Sequence, residues 1–422
     1  MSDRREFLKE FGFVIGAGVI ASAPWLDVFS EKKKTNNERC KIAVIGTGSR
    51  GQYLMSFLVM NPKVEIYAVC DTYQPNLNKG IELAPKAKIY TDFRKVLDDK
   101  QVEGVIIAVP PIHHAMITIA AFDAGKNVYC EKALSIFMDE VLSMYNAYQA
   151  SGKIFFVGQQ RIFDLRYIKA ISMLHSGNYG AIQSIRMNWD RNTDWRRPVP
   201  TPDLEKQINW RLYKSTSRGL MTELACHQLG VGMWAMKSIP NKIMGVGSLI
   251  ARAKEREVYD NVSCIYAFHN GVKMTYESTN SNKFYGLEER ILCEKATFEL
   301  EKSKRYNETI PPASGLMQLL HDAENKAFNA IPLAGSSWVP ETAAQNEGDF
   351  ILDYKTVGDG TKEILEAYVE AIITKKQPKH LAEDGYYSTQ LCLLGHQAME
   401  EERIVIFPDK YKLNYLNHKK PI

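Results

Sequence analysis

The run Gly46-Thr47-Gly48-Ser49-Arg50-Gly51 constrains the fold of this chain more than any other six residues. It is a complete G-x-G-x-x-G, lying directly after the apolar run 42–45 and opening a helical stretch over 51–60. Glycines at that place permit a tight turn and a close approach to the backbone. The start of the following helix offers unpaired N–H groups and a positive dipole end to a pyrophosphate. Alone the motif is a weak signal, but a second apolar run, 64–69, ends at Asp71, where a carboxylate can accept hydrogen bonds from both hydroxyls of a ribose. Together they predict a dinucleotide site built on Gly46, Gly48, Ser49, Arg50, Gly51 and Asp71. An acid at Asp71 repels a 2′-phosphate and Thr72-Tyr73 supplies no base, so NAD is expected over NADP, with Arg50 the basic residue near enough in sequence to argue the other way.

The alternation continues beyond this turn. Apolar runs 105–109, 127–130 and 154–157 are separated by helical stretches such as 115–124, and a helix over 163–175 leads onward. Strands alternating with helices imply a parallel sheet covered on both faces. From 181 the texture changes to longer alternating strands over 182–190, 242–252, 262–268, 272–278 and 289–292, some joined by polar turns such as His269-Asn270-Gly271, an antiparallel signature. The expected fold is α/β: an N-terminal Rossmann domain, doubly wound with a parallel sheet (40–160), then a C-terminal α+β domain with an open, mainly antiparallel sheet (161–422) for substrate binding and oligomerisation. Within it, 302–350 reads as an irregular excursion, and helices over 361–374 and 388–401 close the chain.

With 422 residues there is room for two domains, and 45% hydrophobic with 24% charged residues is an ordinary globular composition. A formal charge of +4 without a basic stripe points away from nucleic acid and toward a small polar substrate. The start of the chain is different: Arg4-Arg5, then Phe7-Leu8-Lys9, an apolar run over 11–21 and Ala21-Ser22-Ala23 resemble a twin-arginine export signal over 1–23, followed by a linker over 24–39. The apolar run falls short of the roughly 20 residues that span a bilayer. A periplasmic protein with no stable membrane span after signal removal is expected. The seven cysteines are odd in number, widely spaced and without C-x-x-C, so no disulfide framework is expected.

Two segments carry a family resemblance: Ile106-Ile107-Ala108-Val109-Pro110-Pro111-Ile112-His113-His114, and Asn127-Val128-Tyr129-Cys130-Glu131-Lys132-Ala133. They resemble the Gfo/Idh/MocA oxidoreductases, the glucose–fructose oxidoreductase and inositol dehydrogenase family, in which one strand ends in Thr-Pro, a His follows on the next helix, and a later strand ends in Glu-Lys-Pro. The resemblance covers essentially the whole chain beyond the linker and is strongest over 41–135 and 219–234. It implies that Pro110, His114 and Glu131 line the cofactor, with His114 near the nicotinamide, and that Lys132 hydrogen-bonds the reacting hydroxyl. Ala133 departs from the family's proline. Physically, Lys132 ends a parallel strand beside the crevice where open α/β sheets bind ligands, and an ammonium there can acidify a sugar hydroxyl or relay its proton. The plain alternative is a surface lysine paired with Glu131.

A second constellation is Glu223-Leu224-Ala225-Cys226-His227. On an α-helix Glu223 and His227 share a face, so the carboxylate could orient the imidazole. The segment resembles the family's Asp-x-x-x-His, with Glu for Asp and Gly230 where a further aspartate often stands, and this implies a proton-transferring role for His227. A satisfied core histidine is the plain alternative, and no metal is expected because no third ligand accompanies the pair. Trp195, Arg196 and Tyr213, from mixed aromatic and charged stretches, are candidate sugar contacts, with Lys283 and Tyr285 further ones.

An exported nicotinamide enzyme meets no diffusing NAD pool. The expected function is therefore an NAD-dependent oxidoreductase acting on CH–OH groups of a sugar or glycoside, with a tightly bound, recycled cofactor. Alternatives are an NAD-dependent glycosidase working by transient oxidation and elimination, and a non-catalytic sugar- or nucleotide-binding protein. A homo-oligomer, dimer or tetramer, is expected in either enzymatic case.

Overall fold

Runs of Val, Ile and Ala in the first third of the chain form six strands: β1 (Cys40–Ile45), β2 (Val64–Cys70), β3 (Lys88–Tyr90), β4 (Gly104–Ile107), β5 (Asn127–Cys130) and β6 (Phe155–Val157). In the computed structural model, which describes residues 39–251, 256–308, 347–352 and 358–413 with isolated positions between 308 and 347, these strands pair in parallel in the order β3-β2-β1-β4-β5-β6. The expected signal over 1–23 lies outside the described residues, as do nearly all of the linker and most of the excursion. Helices α1 (Ser49–Leu58), α2 (Gln74–Leu83), α3 (Phe93–Asp98), α4 (His114–Asp123) and α5 (Met138–Ser151) alternate with the strands. Ile42, Val44 and Ile106 face one core, and Ala43, Ile45, Val105 and Ile107 the other. Burial on both faces is why these strands are continuously apolar. The sequence pattern does not reveal β3, a three-residue edge strand whose side chains are mostly exposed.

After α6 (Leu165–His175), a second, nine-stranded sheet is built from β7 (Ile182–Trp189), β8 (Lys242–Ser248), β9 (Asn261–Ala267), β10 (Lys273–Thr279), β11 (Leu287–Cys293), β12 (Ala296–Glu299), β13 (Lys304–Asn307), β14 (Asp349–Phe350) and β15 (Val405–Ile406). Its order is β14-β13-β12-β11-β7-β10-β9-β8-β15, antiparallel except where β10 runs parallel to β7. Period-two alternation buries Ile185 and Met187, Val262, Cys264 and Tyr266, and Met274 and Tyr276, while Gln183, Arg186, Ser263 and Glu277 point to solvent. Helices α7 (Glu205–Ile208), α8 (Cys226–Met236), α9 (Thr361–Thr374) and α10 (Leu381–Glu400) complete the described structure.

The excursion 302–350 is not irregular throughout. Its two ends form β13 and β14, paired Lys304 with Phe350, because the chain leaves and re-enters the sheet at one edge. Strand β8 stops at Ser248 instead of reaching 252, and α10 begins well before 388 because its first turns, buried on several sides, carry no amphipathic signature. Helix α9 lies within the segment expected to form the second domain, yet it covers the first sheet. Its Tyr368 hydroxyl donates to the Val105 carbonyl at 3.1 Å, and its ring packs on Tyr129 and Phe156 with centroids 5.8 and 5.4 Å away. Helix α10 ties the two sheets together, since Leu134 N–H donates to Thr389 at 3.1 Å, Gln159 to Ser388 at 2.7 Å, and Tyr266 to the Leu391 carbonyl at 3.1 Å. Among the described residues, no helix is long and apolar enough to cross a membrane.

Truncating Tyr368 should therefore loosen the docking of α9. Tyr368→Ala is expected to cost about 3–5 kcal/mol in urea unfolding followed by circular dichroism. Tyr368→Phe keeps the ring and loses one hydrogen bond, for about 1 kcal/mol. Equal losses in the two variants would place the stabilisation in the hydroxyl and not in the packing.

Candidate active site

Strand β1 delivers the chain into a turn in which two of the three glycines are demanded by close backbone approach. Gly46 has φ +96°, and a Cβ on it would lie 2.6 Å from the Ala108 carbonyl oxygen; one on Gly51 would lie 1.9 Å from the oxygen of Gly46. Gly48 has no such neighbour, since its nearest contact would be Asn76 Nδ2 at 3.6 Å. The protein's own packing makes no demand for glycine at 48. Helix α1 begins at Ser49 with Gly48 as its N-cap, no side-chain cap and no acid in its first turn, so its leading N–H groups stay available to an anion. Asp71 follows β2 and accepts from Thr47 N–H and Tyr73 N–H, both at 2.8 Å, and from the Thr47 hydroxyl at 3.3 Å. No described basic side chain pairs with it. Pro110 is half-buried just beyond β4.

Arg50 turns away from Asp71 toward β5, where its Nε meets Glu131 Oε1 at 2.8 Å. Glu131 is only 5% exposed and also accepts from the Tyr129 hydroxyl at 3.2 Å. A Cβ on Gly158 would come within 2.7 Å of this carboxylate, so the glycine after β6 makes room for it. The ion pair ties the glycine turn to the end of β5. His114, buried on α4, places Nδ1 2.9 Å from the Ala133 carbonyl and Nε2 2.8 Å from that of Val109. Both ring nitrogens are thus engaged with backbone, and the residue joins the ends of β4 and β5. Burial holds its pKa below the ordinary histidine value against the pull of the two carbonyls.

Lys132 follows β5 directly, in a cis peptide with Ala133. Its ammonium donates to the Glu223 carbonyl at 2.6 Å and the Thr222 carbonyl at 3.4 Å. Those carbonyls are accessible because 221–225 winds as a π-helix ahead of α8, and the wider spacing breaks the regular α ladder. The same winding corrects an expectation. Glu223 does not orient His227, because the π turn removes the α-helical alignment of i with i+4, and the Glu223 carboxylate pairs instead with Arg211 Nε at 2.7 Å. His227 is 4% exposed, its Nδ1 has no partner, and its ring packs 6.1 Å from that of Trp189. Burial first, then the nearby Lys132, Arg161 and Arg50 cations, hold its pKa well below the usual histidine value.

Lys132, after β5, and His227, on α8, thus lie near enough for the ammonium to act on the imidazole. Trp195, Arg196 and Tyr213 lie on the loop between β7 and α8. Arg196 and the Tyr213 hydroxyl both meet Glu205 Oε1, at 2.6 and 2.7 Å, and Trp195, with φ +63°, packs into the core. Tyr285 is exposed and stacks edge-on with Phe284 at 5.0 Å, on the turn that also carries Lys283. Arg161 is a cation acting on His227 that sequence reasoning missed. Its guanidinium lies 5.2 Å from the Trp189 ring centroid and pairs with Glu301 at 3.1 Å and the fully buried Glu289 at 3.7 Å. Its signal is Gly158-Gln159-Gln160-Arg161, a polar run at the C-terminal end of the last parallel strand, where open sheets place ligands. Among the described residues, no cluster of three or more His, Cys, Asp or Glu side chains could hold a metal ion.

Residues 40–159 match the profile of an oxidoreductase family with an NAD-binding Rossmann fold, and residues 167–299 match that of the GFO/IDH/MocA C-terminal domain. A 1-carboxy-3-chloro-3,4-dihydroxycyclohexa-1,5-diene dehydrogenase of Comamonas testosteroni is 23% identical over 382 residues, spanning 84% of this chain and 93% of that protein. A myo-inositol 2-dehydrogenase of Thermotoga maritima is 25% identical over 254 residues, spanning 60% and 71%. Levoglucosan dehydrogenase in complex with NADH and levoglucosan shares the fold, with a TM-score of 0.68 at 19% identity over 88% of this chain and 100% of that one.

The depressed pKa of His227 makes stability depend on pH with a definite sign. Above about pH 6.5 the imidazole is neutral folded and unfolded; below it the unfolded chain takes a proton that the folded chain refuses. Stability is thus lost toward acid, by up to about 1.4 kcal/mol per pH unit from this residue. In urea titrations at pH 7.5, 6.5 and 5.5, any advantage of wild type over His227→Gln should shrink as pH falls. A constant difference would mean that the folded crevice accepts the proton freely.

Proposed function

The chain belongs to the Gfo/Idh/MocA family of oxidoreductases, and we propose that it oxidises a hydroxyl of a sugar or glycoside with NAD that stays bound and returns to its starting state in each cycle. The observation carrying this reading is a buried His227 whose Nδ1 has no hydrogen-bond partner and whose imidazole feels the Lys132 ammonium and Arg50 of the glycine turn.

Gly48 and the first N–H groups of α1 would hold the pyrophosphate, and Asp71 would accept from the ribose hydroxyls. When bound, NAD would supply a nicotinamide ring able to accept the hydride of the hydroxyl-bearing carbon and to pass it to the carbonyl of a second compound, which is reduced as the first is oxidised. Lys132 binds the hydroxyl oxygen and stabilises negative charge developing on it. His227 takes the hydroxyl proton at its free ring nitrogen, so that C–H and O–H electrons are accounted for as the carbonyl forms. The cations that keep His227 neutral also make its proton easy to return, which suits a cycle running in both directions. Trp189, backed by Arg161, offers an aromatic wall to the C–H face of a pyranose.

The proposal includes export in folded form by the twin-arginine route to the periplasm, on the strength of Arg4-Arg5 and the apolar run after them. All seven cysteines are buried free thiols, as suits a chain that folds in a reducing compartment before export. It also includes a homo-oligomer, dimer or tetramer, which light scattering of the purified protein decides.

Denaturing the purified protein should release NAD or NADH, detectable by mass. Incubated with sugars and glycosides, the protein should change the absorbance of reduced nicotinamide without freeing aglycone. Aglycone released with no net redox change would identify a glycosidase acting by transient oxidation, and neither signal would leave a binding protein. Lys132→Ala and His227→Ala should each lower turnover by about 100-fold or more while the bound dinucleotide is retained.

A further inference from the structure

The loop between β7 and α8 crosses from the second sheet to the glycine turn, and its backbone is held in place at two points. The side chain of Arg256, wholly buried, donates from Nη2 to the Asp194 carbonyl at 2.6 Å and to the Asp194 carboxylate at 2.8 Å. Asn209, 1% exposed, clamps Arg197 from both sides, accepting its N–H at 2.7 Å and donating to its carbonyl at 3.0 Å. So held, Arg197 reaches the first residue of α1, with Nη2 3.3 Å from Ser49 Oγ.

The charges around this contact do not balance. The neighbouring arginines each have an acid: Arg50 has Glu131, Arg196 has Glu205 and Arg211 has Glu223. Among the described residues, no carboxylate pairs with Arg197. Burial, and then the like charge of Arg211, push its pKa below the ordinary arginine value. It also sits against the uncapped start of a helix, the positive end of the dipole, where a cation is disfavoured. A guanidinium steered by two buried side chains into a positive environment is stabilised by an anion arriving between it and the helix. Gly48, whose packing does not demand glycine, is the N-cap of that same helix.

We infer that Arg197 is a clasp, delivered from the second sheet, that closes on the pyrophosphate of the dinucleotide bound at the glycine turn and slows its release. The inference rests on the proposed function, and it supplies a physical means for an exported enzyme to keep its cofactor. With the dinucleotide bound, the clasp links the two sheets through the ligand as well as through the Ser49 contact.

The test is the rate of NADH release, followed by fluorescence in stopped flow, for wild type, Arg197→Ala and Arg197→Lys. Arg197→Ala should release NADH at least about 10-fold faster, as expected for losing a charge-assisted hydrogen bond to phosphate, with Arg197→Lys in between. Raising salt should speed wild-type release more than that of Arg197→Ala. The unfolding midpoint of ligand-free Arg197→Ala should equal or exceed that of wild type, because an unpaired cation has been removed. Unchanged NADH release in Arg197→Ala, or faster release accompanied by a matching loss of ligand-free stability, would overturn the clasp while leaving the dinucleotide site intact. Failure of wild type itself to bind NADH would overturn the proposed function, and the clasp with it.

Discussion

One lysine holds the crevice in its shape. Lys132 leaves the end of β5 and donates into carbonyls of a π-wound turn that belongs to the second sheet's helices. An ammonium must find acceptors when it is half-buried, and a regular α-helix would have consumed those carbonyls in its own ladder. The π winding therefore does two things at once. It gives the lysine two carbonyl acceptors, and it turns Glu223 away from His227 toward Arg211. The imidazole is left without a carboxylate partner, a condition that favours its neutral form.

The electrostatics of the site derive from this division. Glu131, Glu223 and Glu289 are each committed to an arginine, so the acids near the crevice are already neutralised. Lys132, Arg161 and Arg50 then act on His227 together, and burial removes the water that would screen them. The result is an imidazole held in its neutral form. Arg50 does not sit beside Asp71, so the glycine turn keeps an acid at the ribose position with no basic neighbour, an arrangement suited to an unphosphorylated ribose.

The two sheets are less separate than their sequence textures. Helix α9 returns to cover the first sheet through Tyr368, and α10 bonds to both through Ser388, Thr389 and the Leu391 carbonyl. A crevice between two bodies that share packed helices keeps its geometry, which is what positioning two groups from different sheets requires. The loop carrying Arg197 adds a further crossing, at the mouth of the dinucleotide site.

Sequence alone determined the parts of this protein that depend on local periodicity and backbone chemistry. The parallel strands, the antiparallel sheet after 181, the need for glycine at 46 and 51, and the acid at Asp71 were legible because each is set by neighbours in the chain. The positions of Lys132 and His227 could be named from the resemblance. Their proximity could not be derived from sequence, since it depends on Lys132 bonding to the Glu223 carbonyl, 91 residues away in the chain. Only the tertiary structure decided that Glu223 serves Arg211, that both His114 nitrogens face backbone, that Glu131 anchors Arg50, and that Arg196 and Tyr213 converge on Glu205. A side chain's partner is whatever long-range packing brings within hydrogen-bond reach, and one π turn, invisible to a 3.6-residue period, was enough to reassign a carboxylate.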